Sequence, residues 1–216
     1  EFGKIYNLEV TTIPTNKPDI RIVDATCPFV RKIHEIVREQ SKEGKGIVVI
    51  GNASHPEVEG IVSYASGFVT VIGSEEEAAS LEIPETSEIC VVAQTTFNLS
   101  KFQKLVEILR KKMYSIYDVN TVCSATRTRQ EEARLIASRS DAMIVIGSKM
   151  SSNTGKLFEI CMEECPETFL IQTLDDLNLE KAKSFSCVGI TAGASTPKFI
   201  IEEVQNYVRR FWTDVG

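Results

Sequence analysis

The chain has 216 residues, 43% hydrophobic and 25% charged, enough apolar matter for the core of one large or two small domains. A net charge of -6 and a pI near 5.2 leave no broad electropositive face and exclude nucleic acid as a general partner, whereas a small phosphorylated ligand needs only local donors. No stretch reaches the roughly 20 apolar residues that span a bilayer, and the start lacks a basic-then-apolar signal pattern, so a cytoplasmic protein with no membrane partner is expected.

Residues 1–20 contain neither Cys nor His and do not read as a module of their own. From residue 21 the elements alternate. A short strand runs into Cys27, and a helix follows from Pro28 to Glu43, with Val30, Ile33 and Val37 at helical spacing and His34 expected to be partly packed and non-catalytic. GIVVIG (46–51) is an apolar run closed by glycine, as in a parallel strand buried on both faces. NASHPEVEG opens a helix, and SEICVVAQTT (87–96) reads as a strand followed by a small polar loop. The series then recurs: a strand into Cys123, a helix, AMIVIG (142–147), and GSKMSSN opening a helix that carries Cys161 and Cys165 on one face, read as helix-core thiols. SFSCVGITAG (184–193) is the last strand, with Ser195 or Thr196 as N-cap ahead of Pro197, and an amphipathic helix ends the chain. Cys90 and Cys187 both read as core positions inside apolar strands.

The recurrence has an offset of 96 residues. Residues 24–32 lie over 120–128, so Cys27 matches Cys123 and Arg31 matches Arg127. The runs from Gly46 and Ala142 match Gly51 to Gly147 and His55-Pro56-Glu57 to Ser151-Ser152-Asn153, and the two last strands align with a drift of one residue. The expected fold is α/β, with two similar tandem units, 21–119 and 120–199, built on parallel-rich sheets and followed by a C-terminal helix at 200–216. Sites in such sheets lie beyond the carboxyl ends of the strands. Each cysteine, each loop after the first apolar strand, and the QTT and TAGAST segments fall there, and these groups are expected to converge on one cleft.

Neither Cys27 nor Cys123 belongs to a CxxC motif. Their equivalence in two diverged copies points to a shared ligand rather than two core thiols, and to iron–sulfur rather than zinc, because no clustered Cys and His partners stand nearby. In SHPE, Pro56 fixes the turn, His55 can donate to a phosphate and Glu57 can carry a proton, all at a helix start whose free N–H groups attract anions. The plainer alternative is that Glu57 and Glu59 merely favour the first helical turn and His55 is a turn residue. Ser151-Ser152-Asn153 adds three neutral donors at the symmetric helix start, and the pair of loops suits a diphosphate.

In combination, DATCP, SHPEVEG, QTT, NTVCSATRTRQ, GSKMSSN and TAGASTP resemble the 4-hydroxy-3-methylbut-2-enyl diphosphate reductase family over residues 21 to 200. The resemblance implies a three-domain, pseudo-threefold architecture around a [4Fe-4S] cluster held by one cysteine per domain, with Cys27 and Cys123 as two of the metal ligands. It assigns His55, Thr95, Ser151, Ser152, Asn153 and Ser195 to the substrate diphosphate, and Glu57, helped by Thr95, to proton delivery. The implied reaction is reductive removal of an allylic hydroxyl to give isopentenyl and dimethylallyl diphosphates, with a ferredoxin or flavodoxin as electron donor. By the same comparison, residues 1–20 are a remnant of an N-terminal domain, the third cysteine ligand is absent from this chain, and residues 200–216 are expected to pack on the missing domain. Two other readings are a non-catalytic phosphoryl-ligand-binding protein that has lost the cluster, and a duplicated α/β domain with structural cysteines.

Overall fold

The structure, a computed structural model, describes residues 9–11, 22–83, 88–112, 115–177 and 185–213. The expectations for 1–8 and 12–20 as a domain remnant, and for 214–216 at the end of the last helix, lie outside these residues. The chain forms two compact units, Glu1–Thr95 with Gln103–Thr121, and Thr96–Phe102 with Val122–Gly216.

In the first unit, β1 (Glu9–Thr11) pairs antiparallel with β2 (Ile22–Asp24), with Val10 opposite Val23. The main sheet has the order β4-β3-β5-β6, all parallel, from β3 (Gly46–Ile50), β4 (Val69–Ile72), β5 (Glu88–Ala93) and β6 (Ser115–Val119). Its helices are α1 (Pro28–Lys42), α2 (Pro56–Ser63), the short α3 (Glu75–Ser80), and most of α4 (Leu99–Lys111), whose first four residues belong to the second unit. Every residue of β3 is buried, as a strand covered on both faces requires. Ile33 and Val37 of α1 and Val58 and Ile61 of α2 close over Ile47, Val49, Cys90 and Val92 in one core. Each such aliphatic side chain contributes about 1.5–3 kcal/mol by leaving water.

The second unit repeats the plan: α5 (Ser124–Ala137), β7 (Ala142–Ile146), α6 (Ser152–Glu164), β8 (Thr168–Ile171), a 3-10 turn (Leu174–Asp176), β9 (Val188–Ala192) and α7 (Lys198–Thr213), with parallel strands in the order β8-β7-β9. All five residues of β7 are buried. Val204 and Val208 of α7 pack on Ile144, Ile146 and Ile171, so part of the apolar face of this helix is covered within its own unit.

Two details depart from the sequence expectations. The edge strands β4 and β8 fall in segments not read as strands. The drift between the last strands is three residues, not one. Ile50 pairs with Ala93 and Ile146 with Ala192, so Cys90 corresponds to Gly189. The extra length follows α6, which has 13 residues where α2 has 8. In consequence Cys187 precedes β9 and is exposed, whereas Cys90 lies fully buried in β5 as expected.

Candidate functional site

In both sheets the chain leaves the inner strand for one neighbour and returns on its other side, so the switch points lie between β3 and β5 and between β7 and β9. Ligands of open parallel sheets bind beyond the carboxyl ends of the strands at such points. The first holds Gly51–Glu57 after β3 and Gln94–Thr95 after β5; the second holds Gly147–Asn153 after β7 and Gly193–Ser195 after β9.

In the first unit, Pro56 sets the start of α2 and His55 is its N-cap, its ring Nδ1 accepting the Glu57 N–H at 3.2 Å. That bond requires the hydrogen of the neutral ring to sit on Nε2, which leaves an N–H free to meet an anion. The Glu57 carboxylate is gripped from β5: the Thr95 N–H donates to Oε1 at 2.6 Å and Thr95 Oγ1 donates to Oε2 at 2.8 Å. Gln94, almost fully buried, accepts the Asn52 N–H through Oε1 at 3.1 Å. Glu57 and Thr95, which the resemblance names together, thus meet in a two-point contact. Glu59 is exposed.

In the second unit, Ser151 is the N-cap of α6, accepting the Thr154 N–H at 3.3 Å. Ser152 Oγ shares a hydrogen bond at 3.0 Å with Thr96 Oγ1, either atom donating. Asn153 is 8% exposed and Thr154 0%, yet Asn153 Nδ2 and Thr154 Oγ1 make no hydrogen bond. A buried donor without a partner costs about 1–3 kcal/mol, which a ligand or an ordered water accepting from it would offset. Gly147 and Gly193 make the room: a Cβ on Gly147, whose φ is +152°, would lie 2.6 Å from Thr154 Oγ1, and one on Gly193 would lie 2.2 Å from the same atom. Ser195 is exposed on the following loop. The expected capping of α7 differs in detail. The helix begins at Lys198, after Pro197, and Thr196 Oγ1 turns back to donate to Ile146 O at 2.9 Å.

Cys27 and Cys123 have matching settings. Each is an N-cap residue, with φ/ψ of -53°/133° and -58°/136°, and neither thiol makes a capping bond. Cys27 is exposed and Cys123 half-buried, so each unit offers one accessible thiol at a helix N-terminus, the setting that suits a thiolate ligand. Cys90, Cys161 and Cys165 are the opposite case. Burial pushes the Cys90 thiol up to about 11 and the Cys161 thiol up to about 12, and raises Cys165 as well, which suits inert core residues. Among the described residues no three Cys, His, Asp or Glu side chains gather into a metal site. The accessible thiols of Cys27 and Cys123 fit a metal group as single ligands, one from each unit. Also among the described residues, no helix is long and apolar enough to cross a membrane. His34 is buried and stacked on Tyr64 with ring centroids 4.2 Å apart, in keeping with a packed role.

Sequence reasoning passed over Thr154, Thr121 and Gln130. For Thr154 a signal was present, since the repeat sets it opposite the apolar Val58.

A duplicated parallel α/β protein with polar loops at two switch points and one accessible cysteine before each unit's first long helix is the class that fold and site define. A family profile described as LytB protein matches residues 10–209. The chain is 46% identical over 198 residues to the 4-hydroxy-3-methylbut-2-enyl diphosphate reductase of Geotalea uraniireducens, an alignment spanning 92% of this chain and 70% of that one. It is 45% identical over 189 residues to the reductase of the same name from Clostridioides difficile, covering 88% and 67%. The solved structure of the E-1-hydroxy-2-methyl-but-2-enyl-4-diphosphate reductase from Plasmodium falciparum superimposes with a TM-score of 0.81 at 30% identity, over 85% of this chain and 58% of that one. The chain belongs to the LytB family, as the motif resemblance implied.

Proposed function

We propose that the protein reduces 4-hydroxy-3-methylbut-2-enyl diphosphate to isopentenyl and dimethylallyl diphosphates. The observation that carries this reading is the two-point grip of Thr95 on the Glu57 carboxylate at one switch point, matched by unpartnered, buried polar atoms at the other. The names of the relatives agree with it.

The substrate's diphosphate takes hydrogen bonds from His55 Nε2, Ser151, Ser152, Asn153 Nδ2 and Ser195, all neutral donors, and this anchoring orients the carbon skeleton. In the overall reaction the allylic C–O bond breaks, the hydroxyl takes one proton and leaves as water, and the allyl fragment takes two electrons and a second proton. Cys27 and Cys123 would be two of the ligands of a [4Fe-4S] cluster, which when bound would supply electrons one at a time and a Lewis-acidic iron. Glu57 is the proton carrier. Its two oxygens are fixed by Thr95, so the carboxyl is held in one orientation for transfer to the departing oxygen. A small one-electron carrier of the ferredoxin or flavodoxin type completes the reaction.

The test is anaerobic reconstitution, with iron and sulfide, of the protein expressed from its complete reading frame. Product formation with two electrons consumed per molecule is expected. A reconstituted protein that binds inorganic diphosphate but takes up no iron would instead establish the non-catalytic binding protein.

A further inference from the structure

The loop that carries Thr95 and Thr96 is held at its backbone by side chains from both flanks of Cys123. Two residues before the cysteine, Thr121 Oγ1 accepts the Ala93 N–H at 2.8 Å and donates to Ala93 O at 2.5 Å. One hydroxyl thus engages both backbone groups of the last residue of β5. Seven residues after the cysteine, Gln130 Oε1 accepts the Leu99 N–H at 3.1 Å and Nε2 donates to Phe97 O at 3.0 Å. Gln130 is 5% exposed, so its amide is engaged on the donor and the acceptor side away from water.

Residues 93–99 are therefore gripped at both ends, and between the grips lie Thr95, bonded to Glu57, and Thr96, bonded to Ser152. The Thr121 and Glu57 contacts fall in the first unit, the Gln130 and Ser152 contacts in the second, and the chain passes from one to the other at the Thr95–Thr96 peptide bond. A cap for the start of α4 needs only an acceptor, and Asn98 Oδ1 already accepts the Lys101 N–H at 3.1 Å. The donation from Gln130 to Phe97 O serves no such purpose; it fixes the loop itself.

We propose that Thr121 and Gln130 are positioning residues for catalysis, holding Thr95 against Glu57 and Thr96 against Ser152 from the segment that bears Cys123. This rests on the function proposed above. A side chain that bonds two backbone groups of a loop removes its local opening motions, and the oxygens of Glu57 and Ser152 keep their direction only while that loop stays in place.

Gln130→Met and Thr121→Val keep side-chain size and delete the bonds. In each, amide hydrogen exchange of peptides covering residues 94–99 is expected to rise about tenfold or more, while peptides from β3 and β7 keep their rates. In the reconstituted enzyme kcat is expected to fall about tenfold with KM within about threefold, and Thr121→Ser to restore both readouts. Should Gln130→Met fail to fold, Gln130→Glu, which keeps the acceptor for Leu99 and loses the donor to Phe97, is measured in the same way. Unchanged exchange at 94–99, or an equal rise in β3 and β7, overturns the proposal, as does an undiminished kcat in variants of an active enzyme. An inactive wild type that binds no diphosphate defeats the proposed function instead, and the exchange measurement still decides whether the clamp exists.

Discussion

Glutamine at position 57 separates the chemistry of the carboxyl from its role in the fold. Glu57 accepts the Thr95 N–H at 2.6 Å and the Thr95 hydroxyl at 2.8 Å. In Glu57→Gln the amide oxygen keeps the first bond, and the Thr95 hydroxyl rotates to accept from the new NH2 group, so the number of hydrogen bonds is unchanged. Two bonds to a carboxylate become two neutral ones, a loss of about 1 kcal/mol each at most. Because Glu57 is half-buried, solvent screening brings the total nearer to about 1 kcal/mol, and a chain of this size should melt about 2–4 °C lower. Turnover should fall about 10²- to 10⁴-fold, the range for loss of a general acid, with inorganic diphosphate affinity within about twofold of wild type. Differential scanning fluorimetry, calorimetric titration and anaerobic turnover measure the three quantities. Turnover within about threefold of wild type would refute the assignment, because no proton carrier can be replaced by an amide at so small a cost. Thr95→Val supplies the companion: if Thr95 acts through Glu57, the double variant is no slower than Glu57→Gln alone.

Asn153→Ala removes a buried donor that has no protein partner, so inorganic diphosphate affinity is expected to drop about tenfold while the unfolding midpoint hardly moves; a large fall in stability would show that Nδ2 serves the fold. Gly193→Ala sets a Cβ 2.2 Å from Thr154 Oγ1 and should cost about 1–3 kcal/mol in urea unfolding. Adding Thr154→Ala leaves the Thr154 Cβ position, 3.4 Å away, as the next contact, and should restore most of the loss. The buried thiols set an alkaline limit. Cys90 and Cys161 hold their protons up to about 11 and 12 when folded against 9.0 when unfolded, so their stabilisation is complete below pH 9 and is lost as pH rises through the folded values. Cys90→Val should flatten that limb in a stability-versus-pH series. At pH 8, iodoacetamide should label Cys27 and Cys187 while Cys90, Cys161 and Cys165 resist until unfolding.

The legible parts of the fold are those where one physical demand acts alone. Strands β3 and β7 are covered on both faces, so their sequences are unbroken apolar runs that mark them and their register in the repeat. Strand β4 is an edge strand whose first three residues are only half-buried, which gives no comparable run. The misplacement of Cys187 has a single cause: two cysteines fall nearly in frame, and the extra length between β7 and β8 shows only in the strand pairing, where Ile50 faces Ile72 but Ile146 faces Ile171. At the candidate site, the place of His55 and Glu57 at a helix start was readable because Pro56 restricts what the loop can do. Thr121 and Gln130 were not, since both bond to main-chain groups, and a backbone partner leaves no mark in the residue types around it.

Three of the corresponding positions at which the two switch points differ separate their chemistry. After β3 and β5 stand Glu57, Val58 and Gln94; after β7 and β9 the equivalents are Asn153, Thr154 and Gly193. In the first unit the Gln94 side chain fills the space at the strand ends, where a Cβ on Gly51 would lie 3.0 Å from Gln94 Cβ and 2.9 Å from Val58 Cγ2. In the second unit Gly193 supplies no side chain, Thr154 brings a hydroxyl, and Asn153 Nδ2 and Thr154 Oγ1 remain unbonded. Under the proposed function a carboxylate at position 153 would repel the diphosphate, and an amide at position 57 would carry no proton. On that reading one scaffold is used twice: the carboxyl that carries the proton stands at position 57 of the first copy, and the second copy has the neutral Asn153 in its place.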